Sequence, residues 1–121
     1  MSFTFKKEER LCSKKRINEL FAINNSFFLY PYKFVWSTAN SNKNYPMQIA
    51  ISVSKKRYKK AVDRNLIKRR IREVYRLNKH ISYKSLNERN TQISAMLIYV
   101  GKEIYDSSFL EKKMKKLLEK I

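Results

Sequence analysis

Cations ranged along one side of a helix neutralise and orient phosphate. Residues 62–76 read VDRNLIKRRIREVYR, in which Arg64, Lys68, Arg69, Arg70, Arg72 and Arg76 are basic and only Asp63 and Glu73 are acidic. Apolar residues nevertheless recur at helical spacing. At about 100° per residue, Ile67, Ile71, Val74 and Tyr75 share one arc, a stripe suited to a core. Lys68, Arg72, Asn65, Arg76 and Arg69 fill the adjoining arc, and Arg64 lies at the apolar edge. Solvated helix faces usually mix signs to gain i,i+4 pairs, but this stripe contains no acid. The planar fork of arginine suits bidentate contact with phosphate oxygens. Asn65 can donate to phosphate and accept from a 2′-hydroxyl or a base edge. Directly upstream, KKRYKK adds Lys55, Lys56, Arg57, Lys59 and Lys60. The pattern calls for an anionic polymer.

The remaining reactive groups form no catalytic constellation. His80 is the only histidine, so a histidine pair is excluded and His80 reads as a polar loop residue. No Asp-x-Asp, Cys-x-x-Cys or glycine-rich phosphate loop occurs. Glu8 and Glu9 adjoin a mobile chain end, Glu103 and Asp106 lie around a turn, and Asp63 neighbours Arg64. None reads as a metal pair, so a binder without its own chemistry, metal or cofactor is expected.

The whole composition points the same way. The chain has 121 residues, 28 Lys and Arg against 10 Asp and Glu, and a formal net charge of +18. That size fits one domain, 1–121, with a modest core. So much like-sign charge repels itself, and an anionic partner relieves it; nucleic acid is the commonest. Cys12 is the single cysteine, which rules out a disulfide within the chain. The N-terminus lacks the apolar stretch and cleavage site of a signal peptide. The longest apolar run, AMLIYV at 95–100, is far too short to span a bilayer, so a cytoplasmic location is expected.

The elements that must position the cations follow from periodicity. Ser13 to Ile23 reads as a first helix, with Ile17, Leu20 and Phe21 at i, i+3 and i+4. FFLYPYKFVW reads as extended chain in which Pro31, unable to donate to a ladder, separates two short strands or marks an edge. On the second strand Tyr32, Phe34 and Trp36 share one face, expected to be core, and Lys33 and Val35 share the other. MQIAISVS at 47–54 alternates, placing Ile49, Ile51 and Val53 on one face. After the basic helix, KHISYKSLNERNT reads as a polar connection. QISAMLIYV at 92–100 suits a strand covered on both faces. The last helix, 108–121, carries a Ser108/Glu111 capping-box pattern and an apolar stripe of Leu110, Met114, Leu117, Leu118 and Ile121. The order is α-β-β-β-α-β-α.

The segment AISVSKKRYKKAVDRNLIKRRIREVYR, 50–76, resembles the signature of the protein subunit of bacterial ribonuclease P. Ser52, Val53, Lys55 and Lys56 match its Ser-Val-x-Lys-Lys strand end. Ala61, Arg64, Asn65, Lys68 and Arg69 match its Ala-x-x-Arg-Asn-x-x-Lys-Arg helix. Leu66 replaces the usual third basic residue, weakening one expected RNA contact, for which Arg70 is the substitute. Leu11 and Phe21 also resemble the family's first helix. The resemblance implies an α+β sandwich with a mixed four-stranded sheet and a left-handed crossover at the motif helix, rare among such connections. It implies a subunit that binds the ribonuclease P RNA and precursor tRNA, whose 5′ leader is removed by the RNA with Mg²⁺. The family's leader cleft then maps to Ile17, Phe21, Lys33 and Val35. Neither a membrane nor a small-molecule substrate is implied. A ribosomal or ribosome-assembly protein is the main rival, and a membrane-surface protein using helix 108–121 the second.

Overall fold

The computed structural model describes residues 9–10, 25–38 and 45–121. Leu11, Cys12 and the helix expected over 13–23, with Ile17 and Phe21, lie outside the described residues. Strands β1 (Ser26–Leu29) and β2 (Tyr32–Thr38) pair antiparallel on either side of Pro31, as expected. Strand β3 is Met47–Val53 and β4 is Ile93–Tyr99. The sheet order is β1-β2-β4-β3, with β2 antiparallel and β3 parallel to β4. The sheet is therefore mixed, and β4 occupies an interior position, buried along all but Ile98.

Between the parallel neighbours β3 and β4 run helices α1 (Ala61–Asn78) and α2 (His80–Glu88). The polar connection expected at 79–91 is thus largely helical. Ser82 and Leu86 are buried there, and the Ser82 hydroxyl donates to the Lys79 carbonyl at 3.0 Å. Two buried positions in nine residues make a weak periodic signal, and Lys79 caps both helices without a side-chain bond. Asn90 then adopts φ 51°, a left-handed turn that asparagine tolerates, and Thr91 N–H closes onto the Leu86 carbonyl.

Helix α3 (Ser107–Glu119) starts one residue before the expected site. Its cap is Asp106, whose carboxylate accepts from the Phe109 N–H at 2.9 Å, rather than Ser108. A charged acceptor also gains from the positive helix end, which favours Asp106 over the hydroxyl.

One face of the sheet carries the main core. Tyr32, Phe34, Ile49, Leu97 and Tyr99 meet Ile67, Ile71, Val74 and Tyr75 of α1 and Leu110, Met114, Leu117 and Leu118 of α3. Tyr32 and Phe34 are core, as expected, while Trp36, with Ile121, is only partly buried and packs against the cluster's margin. The Tyr32 hydroxyl donates to the Leu110 carbonyl at 3.1 Å, pinning α3 to the sheet. Each fully buried side chain contributes roughly 1.5–3 kcal/mol. The apolar face of α3 is consumed in this packing, which removes the basis for laying it on a membrane. Among the described residues no helix is long and apolar enough to cross one. On the opposite face of the sheet Val35 and Met96 form a smaller cluster, flanked by Ala50 and Ile98.

Candidate nucleic-acid interface

Helix α1 presents its apolar stripe inward and its cations outward, because Ile67, Ile71, Val74 and Tyr75 anchor its rotation. Asn65, Arg69 and Arg72 are exposed, and Lys68 and Arg76 are half-buried beside the core. Among the described residues no ion pair involves Lys68, Arg69 or Arg72. Arg76 instead pairs with Glu73 at 2.5 Å. That contact holds the Glu73 carboxyl below its usual range and raises the Arg76 guanidinium.

The cationic loop upstream is rigidly hung. The Ser54 hydroxyl accepts from the Lys56 and Arg57 N–H groups at 3.2 and 3.4 Å, and Tyr58 N–H closes the turn onto the Ser54 carbonyl. Tyr58 is buried, and its hydroxyl donates to the Gly101 carbonyl at 2.7 Å. The Arg57 guanidinium donates to the Val100 carbonyl. Arg64, at the apolar edge of α1, donates to the carbonyls of Tyr58 and Lys59 at 2.8 and 2.9 Å. Arg57 and Arg64 therefore brace the loop, and Lys55, Lys56, Arg57, Lys59 and Lys60 are all exposed around it.

Sequence reasoning missed the anchors of this loop. Gly101 is essential to them: a Cβ there would penetrate the ring of Tyr99. A lone tyrosine inside a run of cations, and the single glycine of the chain, were the available signals.

Arg70 departs from the role expected of it. It lies on the far side of α1, where its guanidinium donates to the Tyr105 carbonyl at 2.8 Å. It therefore braces the segment before α3 and does not replace a basic residue at Leu66.

Of the residues mapped to the leader cleft, Lys33 is exposed and Val35 is buried, both on the sheet face away from α1 and α3. Val35 can supply only floor.

The acids show no convergent set. Glu9 is not at a loose end but 1% exposed, with its carboxylate 2.6 Å from the Lys79 ammonium and accepting from the Tyr83 hydroxyl at 2.5 Å. Burial beside Tyr75 and Glu9 pushes the Tyr83 phenol well above its usual range. His80 opens α2 and is half-buried rather than lying in a loop. Among the described residues no group of three or more His, Cys, Asp or Glu is placed to hold a metal ion.

Fold and surface together define a small basic α+β domain that displays a braced cationic loop and helix. The family model for ribonuclease P matches residues 5–121. A ribonuclease P protein component of Porphyromonas gingivalis is 35% identical over 120 residues, covering 99% of this chain and 88% of the relative. That of Pseudoalteromonas translucida is 33% identical, covering 98% and 78%. The ribonuclease P protein of Thermotoga maritima has the same fold, with a TM-score of 0.74, 22% identity and coverage of 93% and 97%. That of Staphylococcus aureus gives 0.68, 22%, 92% and 93%. The chain belongs to the ribonuclease P protein family.

Proposed function

We propose that this chain is the protein subunit of a ribonuclease P ribonucleoprotein, binding the catalytic RNA and the 5′ leader of precursor tRNA. Chemistry resides in the RNA and its Mg²⁺, and the protein supplies charge and shape. The observation that carries this reading is the acid-free stripe of Asn65, Lys68, Arg69 and Arg72 on α1, next to a loop whose cations are held outward. Two RNAs brought together repel through their phosphates, and a fixed array of cations lowers that repulsion without needing a dense Mg²⁺ atmosphere. Arg57 and Arg64 contribute by bracing the loop, which reduces the ordering cost on binding. The leader follows the sheet face bearing Lys33, with Ile17 and Phe21 as the further contacts that the family pattern implies.

The test is reconstitution. Rigorously RNA-free protein should leave precursor tRNA intact. Added to a ribonuclease P RNA, it should restore cleavage at Mg²⁺ levels where that RNA is nearly inactive. Site-specific cleavage by protein alone would refute the division of labour, and absence of rescue would refute the reading. Co-purification with ribosomal RNA in place of the ribonuclease P RNA would favour the ribosome-assembly alternative.

A further inference from the structure

Four aromatic rings run across the end of the sheet where β1 turns into β2 and β4 leaves for α3. Phe28 and Tyr30 have ring centroids 6.3 Å apart, Tyr30 and Tyr105 6.0 Å, and Tyr105 and Phe109 4.3 Å in a stacked arrangement. Core packing does not account for them. Phe28, Tyr30 and Phe109 belong to neither apolar cluster, and Phe28 is 61% exposed. Only Tyr105 leans on the main core.

The row is held rather than loosely displayed. The hydroxyls of Tyr30 and Tyr105 lie 2.7 Å apart, the Lys102 N–H donates to the Tyr30 hydroxyl at 3.0 Å, and Arg70 fixes the Tyr105 carbonyl. Rings fixed in advance lose little freedom when something stacks on them.

Cations are interleaved with the rings. Lys33 is the cross-strand partner of Phe28 and is exposed beside it. Lys102 is exposed at Tyr30, and the Lys113 ammonium lies 5.5 Å from the Phe109 centroid. A solvated cation over a ring gains less than a stacked base does. A base can therefore displace Lys113 from Phe109 and leave its ammonium to meet a phosphate.

We propose that Phe28, Tyr30, Tyr105 and Phe109 form a stacking platform for unpaired bases of a single RNA strand, with Lys33, Lys102 and Lys113 taking its phosphates. The inference rests on the functional reading above and extends it. The platform begins beside Lys33 on the leader-facing side of the sheet and continues round its end to α3, so its occupant is leader lying beyond the first contacts. Aromatic faces suit any base, which makes the platform tolerant of leader sequence but sensitive to leader length.

The experiment uses the reconstituted holoenzyme and two precursor tRNAs that differ only in leader length, the longer carrying 2-aminopurine in the added segment. Wild type should bind the long-leader precursor more tightly and quench the 2-aminopurine. Phe28→Ser, a change at an exposed position, should weaken long-leader binding about ten-fold, the loss of one stacked base. It should relieve quenching and leave short-leader binding and RNA-subunit binding unchanged. Phe109→Leu should act in the same direction. Tyr105→Phe, which removes the hydroxyl bridge but keeps the ring, should retain most of the effect. Rescue at low Mg²⁺ without any leader-length dependence in wild type would overturn the platform alone. Equal loss for both leaders in Phe28→Ser would overturn it too. Failure of wild type to rescue cleavage would overturn the functional reading and the platform with it.

Discussion

At the centre of α1, Lys68, Arg69 and Arg72 point outward with no acidic partner among the described residues. Just past the C-terminal end of the same helix, Lys79 is 4% exposed and locked to Glu9, which is held in turn by Tyr83. The residue types are alike and the tasks are opposite, so a count of cations says little about how many can meet a partner. An exposed cation costs the fold little beyond mutual repulsion and stays available. A buried one is tolerable only when its counter-charge is buried with it, and it then ties together segments distant in sequence. The Arg10–Ile49 bridge next to Glu9 shows what is tied: the start of the chain to the edge strand β3.

The comparison is broken most severely at the buried end. Glu9→Gln or Lys79→Met alone should destabilise the protein by about 3–5 kcal/mol, because each breaks a buried ion pair. Replacing both together should recover much of that loss. RNA affinity of the fraction that remains folded should be unchanged, as measured by denaturant melts and filter binding on the same samples. A mild single-mutant effect would show that Lys79 reaches water.

At the exposed end the pattern should invert. Replacing Lys68 and Arg72 by Ala should leave the melting transition within about 0.5 kcal/mol of wild type, as surface substitutions do. It should flatten the log–log salt dependence of RNA-subunit binding by about two. An unaltered slope in the folded double mutant would reduce the stripe to ordinary surface.

The smallest expected effect sharpens the boundary between the two behaviours. Arg76 sits on the stripe but is paired with Glu73. Glu73→Gln removes an acid from α1 and breaks that ion pair, so RNA binding should tighten slightly and its salt slope should steepen by no more than about one. Weaker binding would mean that the Arg76–Glu73 pair itself is what the RNA meets.

Much of this was legible in the chain itself. Alternation marks β3, the apolar run marks β4, and Pro31 divides β1 from β2, because period and backbone chemistry act locally. The stripe of α1 was equally plain, since its rotation is set by Ile67, Ile71, Val74 and Tyr75. Helix α2 was not, because two buried residues and no cap leave too little pattern to distinguish it from a loop.

The sequence by itself determined that a cationic helix face would stand clear of a packed one, and that the partner would be anionic. Only the tertiary structure decided which cations are committed within the fold. Arg57, Arg64 and Arg70 look in the sequence like phosphate contacts alone, and each also braces the fold by donating one guanidinium nitrogen to backbone carbonyls: Arg57 to Val100, Arg64 to Tyr58 and Lys59, Arg70 to Tyr105. Glu9 looks like a terminal solvated acid and is buried against Lys79. The physical reason is common to all four. Whether a charge is committed depends on the acceptors and counter-charges that folding brings within about 3 Å. For Arg57, Arg70 and Glu9 those partners lie tens of residues away along the chain, beyond the reach of any local pattern.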